Sequence, residues 1–209
     1  MFVLLCVFCV WIPLAFASQC PDNCKCTKWK ILCVDTRMRC LPYGSPKTQL
    51  LSMDSDVVQE INRTVINRSG LRNLTTLKLN NMHIQIIRNY SFGDLAKLES
   101  LTITKNTITD LESGAFLGLD KLYNLDLSGN KLKKLNSGVF QGLVELRRLN
   151  LSHNDIEHIH YMMFDGLRKP GSCGAINHLT TLDLSENLIT KIDEGSFRDL
   201  SSLAKLTIL

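Results

Sequence analysis

Leu77, Leu101, Leu125 and Leu149 lie twenty-four residues apart, and Phe92, Phe116, Phe140 and Phe164 keep the same step. A fixed period of this length restricts the chain to an architecture in which one small unit is copied and stacked, because so short a unit cannot bury its own apolar face. One unit reads Leu122, Leu125, Leu127, Asn130, Leu132, Leu135, Phe140, Leu143. The segments 98–119, 146–167 and 179–200 repeat it, with Asn106, Asn154 and Asn187 at the asparagine position. Two copies depart from it: 74–95 has Met82 where asparagine is expected, and 51–66 substitutes Met53, Asp56 and Val58. Degenerate copies near an end are usual in stacked repeats.

In each unit the alternation of Leu125 and Leu127 puts both side chains on one side of a short strand and Asp126 on the other. The spacing L-x-x-L-x-L-x-x-N-x-L is that of a leucine-rich repeat solenoid, of the α/β class. Its expected form is a curved parallel sheet on the concave face, short helices or irregular segments on the convex face, and a disulfide-bonded N-terminal cap. The asparagine is expected to pair with backbone groups left inside by the bend that follows the strand. The phenylalanines are expected to form a packing spine rather than a ligand box.

The first residues read differently. Phe2 to Ile12 is an uncharged apolar run, followed by Pro13 and the small-x-small triplet Ala15-Phe16-Ala17, a secretory signal with cleavage after Ala17. The run is short for the alternative, an uncleaved anchor spanning a membrane. Residues 1–17 are thus assigned to the signal, 18–47 to a cysteine-rich cap and 48–209 to repeats, the last one incomplete. Five cysteines, Cys20, Cys24, Cys26, Cys33 and Cys40, crowd the cap, and in an exported chain that density implies disulfides. A zinc site is the competing reading, without a C-x-x-C to support it. Cys40 and Cys173 are left over. Four repeat steps of about 4.8 Å hold them far beyond the roughly 7 Å a disulfide tolerates, so each is free, pairs with another chain or, for Cys40, joins a shuffled cap.

The run Cys20-x3-Cys24-x-Cys26-x6-Cys33 closing on Leu41-Pro42, with Phe140-Gln-Gly-Leu143 and Leu182-Asp-Leu-Ser-Glu-Asn187, resembles the twenty-four-residue class of extracellular leucine-rich repeat proteins over nearly all of the mature chain. Toll-like receptors, Slit proteins, leucine-rich repeat and immunoglobulin-domain receptors, Trk receptors and peroxidasins carry such arrays. The resemblance implies disulfides Cys20 to Cys26 and Cys24 to Cys33, and a protein-binding ectodomain for adhesion, guidance or innate immune signalling. A matrix protein of the small leucine-rich proteoglycan type, or the targeting arm of a peroxidasin-like enzyme, is the alternative. The chain stops at Leu209 inside a new strand without a cysteine-rich C-terminal cap. The expectation is a truncated product, a splice form or a fragment of a longer receptor, which meets the membrane only through a missing C-terminal part.

No nucleophile and base, phosphate loop or paired carboxylates stand outside the repeat pattern, so no enzyme, cofactor or metal is expected. Nucleic acid is not an expected partner of an exported chain whose net charge is a mild +4, spread along its length. Five sequons, at Asn62, Asn67, Asn73, Asn89 and Asn150, fit the secretory route. The Asn150 triplet coincides with a repeat strand, so it also has a structural reading; if modified, its sugar stands on the concave face.

Candidate contacts are concave positions left unclaimed by the period. Glu99, Tyr123 and Arg147 are expected side by side with Arg148 close and Asp126 on the same face, an aromatic between opposite charges and the composition of a binding hot spot for a protein ligand or co-receptor. The bland alternative is a row of ordinary solvated strand residues. A nine-residue insertion between Leu167 and Leu179, containing Cys173, is a second candidate loop. Lys131, Lys133 and Lys134, with Arg147 and Arg148 one coil on, are a candidate for heparan sulfate, against the plainer reading of a solvated edge. His153, His158 and His160 are expected on differing faces and so not as a metal site. Ser113-Gly114 is read as part of the repeat rather than as a glycosaminoglycan attachment point.

Overall fold

The computed structural model describes residues 20–36, 38, 41–167 and 177–209. The signal segment, Cys40 and the Cys173 loop lie outside the described residues. Within them, one sheet of nine strands runs the length of the molecule. In chain order the described strands are β1 (Cys24–Cys26), β2 (Lys30–Val34), β3 (Leu50–Asp54), β4 (Glu60–Ile61), β5 (Thr76–Asn80), β6 (Ile86–Ile87), β7 (Ser100–Thr102), β8 (Asp110–Leu111), β9 (Asn124–Asp126), β10 (Arg148–Asn150), β11 (His158–Ile159), β12 (Thr181–Asp183), β13 (Lys191–Ile192) and β14 (Lys205–Thr207). The long sheet has the order β1-β2-β3-β5-β7-β9-β10-β12-β14. β1 pairs antiparallel with β2, and every later pairing in this sheet is parallel.

The register is the period made visible: Leu51, Leu77, Leu101, Leu125, Leu149, Leu182 and Leu206 face one another in turn across the sheet. The insertion after Leu167 therefore leaves the strand register intact. Two small parallel sheets, β4-β6-β8 and β11-β13, edge the other side of the coils. A single described α-helix, α1 (Arg63–Arg68), is capped by Asn62, whose Oδ1 accepts from the Val65 N–H at 3.1 Å.

The asparagine ladder does what the bend requires. Asn130 Nδ2 donates to the carbonyls of Ile103 and Leu127 at 2.8 and 2.9 Å, and its Oδ1 accepts from Ile108 N–H at 3.3 Å. Asn106, Asn154 and Asn187 repeat the arrangement, each tying its own coil to the one before. The residue just before that position is left-handed in coil after coil, with φ of 62° at Ser55, 51° at Asn81, 54° at Lys105, 66° at Gly129, 52° at His153 and 52° at Glu186. His153 is thus part of a turn series.

Leucines and phenylalanines fill the interior. Phe92, Phe116, Phe140 and Phe164 stack with centroids 6.0, 6.5 and 6.3 Å apart, and Phe197 continues the column at 5.9 Å. The Phe-x-Gly motif beside them has a steric origin. A Cβ on Gly166 would sit 2.5 Å from the Gln141 nitrogen and 2.6 Å from the Phe140 carbonyl carbon, so only hydrogen fits where one coil crosses the next. At the N-terminal end the disulfide Cys24–Cys33 staples β1 onto β2 and Cys20–Cys26 ties the segment before β1 to its end, the pairing that the family resemblance implies. At the other end Ile192 is 45% exposed, whereas Ile159, its partner in register, is fully buried under the following coil.

Candidate ligand-binding face

Strand alternation sends the leucines of each coil inward and presents the intervening residues on the concave face. The rows are locked by backbone bonds. The carbonyl of Glu99 accepts from the N–H groups of Tyr123 and Asn124 at 3.0 and 3.2 Å, and that of Tyr123 from Arg147 and Arg148 at 2.9 and 3.0 Å. Glu99, Tyr123 and Arg147 consequently stand at the same position of three successive coils.

Around them is an open hollow of about 480 Å³ lined by Glu99, Lys121, Tyr123, Glu145, Arg147 and Arg148. Tyr123, half-buried, is the one aromatic residue of that lining. The Arg148 guanidinium carbon lies 5.6 Å from the ring centroid, within cation–π range, while its Nε donates to Asn124 Oδ1 at 3.2 Å. Among the described residues, Glu99, Lys121, Glu145 and Arg147 have no opposite charge within 4.0 Å. Five exposed charged residues therefore line the hollow with one aromatic ring, and none of the five forms a salt bridge among the described residues.

The sequence reading names Glu99, Tyr123, Arg147 and Arg148, and the structure brings those four together. It does not name Lys121 and Glu145, which belong to the turn entering the strand. Their row, Asn73, Lys97, Lys121 and Glu145, also keeps the twenty-four-residue step, and that step is the signal by which sequence could have found them. Asp126 lies outside the hollow. Its Oδ1 accepts from the Ser128 N–H at 3.0 Å and hydroxyl at 2.7 Å, and Asp183 makes the same turn with Ser185.

Other candidates are dispersed. Lys131, Lys133 and Lys134 follow the turn beyond the C-terminal end of β9, whereas Arg147 and Arg148 sit where β10 begins, so the two groups lie at opposite ends of the strand row. Glu157 follows Lys133 one coil on, its N–H bonding the Lys133 carbonyl at 3.4 Å. Ser113 Oγ donates to the Ser137 carbonyl at 3.2 Å, and Gly114 takes a φ of 72° in a row shared by Gly138 and Gly195.

The histidines differ from expectation in one respect. His158 and His160 flank Ile159 and so share a side, with ring centroids 5.9 Å apart. His158 Nε2 is 2.8 Å from Asp193 Oδ1, and that hydrogen bond, aided by Lys191 at 3.3 Å, holds the Asp193 carboxyl down at about 2. Among the described residues no group of three His, Cys, Asp or Glu side chains is arranged to hold a metal, and no helix is long and apolar enough to cross a membrane.

Comparison with known proteins agrees with the repeat fold. The Leucine rich repeat family matches residues 72–132, 120–169 and 170–208. The chain belongs to the leucine-rich repeat family. Over 82 residues, 37% of this leucine-rich repeat chain, it is 34% identical to human Peroxidasin homolog, of whose length the match covers 5%. In structure it is similar to TLR13 in a complex with ssRNA13, with a TM-score of 0.67 and 29% identity over 77% of this chain and 21% of that one. It also shares the fold of human 5T4 (Wnt-activated inhibitory factor 1, Trophoblast glycoprotein), with a TM-score of 0.59 and 22% identity over 91% of this chain and 81% of that one. The chain thus spans a small part of the peroxidasin relative and about a fifth of TLR13.

Proposed function

We propose that this chain is an extracellular protein-binding module, the ligand-recognition ectodomain or a secreted form of a leucine-rich repeat receptor, which captures a protein ligand or co-receptor on its concave face. The observation that carries the reading is the hollow around Tyr123, where unpaired acidic and basic groups surround a half-buried ring. Charges already desolvated in salt bridges have little to offer a partner, whereas unpaired ones can meet complementary charges across an interface. A surface carrying both signs suits a protein segment of mixed charge. An aromatic beside arginine is the composition expected at the centre of such a contact. The disulfide-closed cap and the likeness to receptor-type repeat proteins support an extracellular setting.

A second reading, the protein-binding arm of a longer peroxidasin-like chain, is favoured by the sequence match to that protein. It uses the same face. Display of the secreted chain as a multivalent probe against a panel of extracellular protein domains tests the proposal, with single-stranded RNA as a parallel arm. The expected result is a protein partner whose binding weakens at least tenfold in Tyr123→Ala/Arg148→Ala. Partners that ignore the double variant, or binding confined to the RNA, would overturn it.

A further inference from the structure

We propose that Asn150 carries an N-linked glycan that stands on the concave face beside the charged hollow and screens its Arg148 end. The screening half rests on the reading of the hollow as a recognition site; the modification itself does not. The sequon asparagines differ in what their carboxamides are doing. Asn62 caps α1 and donates Nδ2 to Glu60 at 3.1 Å. Asn67 is hydrogen-bonded to Asp94 and its Oδ1 is buried. Asn73 bridges the Pro46 carbonyl at 2.8 Å and Lys97 Nζ at 2.7 Å, and Asn89 donates to the Ser113 carbonyl at 2.8 Å.

Asn150 is placed differently. Its Oδ1 accepts from the Ser152 N–H at 3.0 Å, which fixes the side chain in a turn made by the sequon itself. Its Nδ2, the atom that bears a sugar, has no partner among the described residues and is not buried. Asp126 and Asp183 flank it in register and make the same turn, each Oδ1 accepting from its own serine. Two residues along a strand return to the same face about 6.6 Å away, which sets a sugar on Asn150 next to Arg148.

In the transfer, Nδ2 bonds to the anomeric carbon of a lipid pyrophosphate-linked oligosaccharide, the donor class of the secretory route. The bond from that carbon to the phosphate oxygen breaks with its electron pair leaving on the lipid pyrophosphate, and one Nδ2 proton is released. The Oδ1 acceptor is untouched, so the turn with Ser152 survives modification.

The test uses the full chain secreted from cultured animal cells, with glycopeptide mass spectrometry on the Asn150 peptide and labelling of Arg148 by an arginine-directed dicarbonyl. Asn150→Asp is the comparison, since aspartate supplies the same turn in the neighbouring coils and the variant keeps its fold. The expected result is a glycan on Asn150, loss of one glycan's mass in the variant, and several-fold faster labelling of Arg148 there. An unmodified Asn150 peptide, or equal labelling of the two proteins, overturns the proposal. Failure of the hollow as a binding site would show instead in the binding of Tyr123→Ala/Arg148→Ala, which this experiment does not read.

Discussion

On the convex side Arg63 grips both oxygens of Asp94 at 2.8 and 3.0 Å, and Arg88 reaches Glu60 at 3.3 Å and Glu112 at 2.7 Å, whereas on the concave face Glu99, Lys121, Glu145 and Arg147 face outward and form no salt bridge among the described residues. The pairing on the convex side shifts the groups that make it. Asp94, Glu60 and Glu112 are held below the ordinary carboxylate range, chiefly by hydrogen bonds from Arg63, Asn62 and Arg88 respectively. One side therefore spends its charge on joining coils and the other leaves it available. The difference separates scaffold from surface better than residue type does, since arginine and glutamate appear on both.

Four variants or conditions probe that contrast, starting with the interior that sets the scale. Phe140→Ala removes the middle ring of the stacked column and should cost about 3–5 kcal/mol in urea unfolding. A loss below about 1 kcal/mol would mean that the column is not a packing element. Asn130→Ala orphans the buried carbonyls of Ile103 and Leu127 and the Ile108 N–H, at a cost of about 1–3 kcal/mol. An unchanged urea midpoint would remove the asparagine ladder from the scaffold.

Acid comes next. Asp193, Asp94, Glu60 and Glu112 all have folded-state values below their ordinary ones, so the folded state favours their charged forms. Their contribution is present above the ordinary carboxylate range and is lost as pH falls through the lowered values, for Asp193 between 3.8 and about 2. The thermal midpoint should decline over that window, and Asp193→Asn should flatten the decline; an identical profile for the variant would contradict the assignment. The smallest effect belongs to the hollow. The variant Glu99→Gln/Lys121→Gln/Glu145→Gln should unfold within about 0.5 kcal/mol of the parent, because it breaks no pair. A larger loss would show that these charges serve the fold.

How much of this could be read from residues alone follows from the same division. The leucine register, the phenylalanine column and the asparagine ladder recur with the period, and each recurrence in sequence became a contact between coils. Asp56 shows where that legibility weakens. It stands at the asparagine position and keeps the acceptor role, taking bonds from Thr36 Oγ1 at 2.6 Å and the Met38 N–H at 3.2 Å, yet its second oxygen is buried without a partner among the described residues. Carboxylate has no N–H to return, so the degenerate first coil closes less completely than those built on asparagine.

On the concave face, Glu99, Tyr123, Arg147 and Arg148 were legible because they border strand leucines. Lys121 and Glu145 are legible only as a row that keeps the same step, because they stand in the turn ahead of the strand rather than beside its leucines. The sharing of a side by His158 and His160 was there to be read in simple alternation about Ile159. The tie of His158 to Asp193 was not, since it crosses from one coil to the next over the insertion.

The claim at the centre is that a partner docks where the charges are unpaired. Hydroxyl-radical footprinting of the secreted chain with and without its captured protein partner reads that directly through tyrosine oxidation. Tyr123 should be protected at least severalfold, while the exposed Tyr43 and Tyr161, which lie away from the hollow, keep their rates. Unchanged oxidation of Tyr123 together with protection of Tyr43 or Tyr161 would place the partner elsewhere and contradict the account.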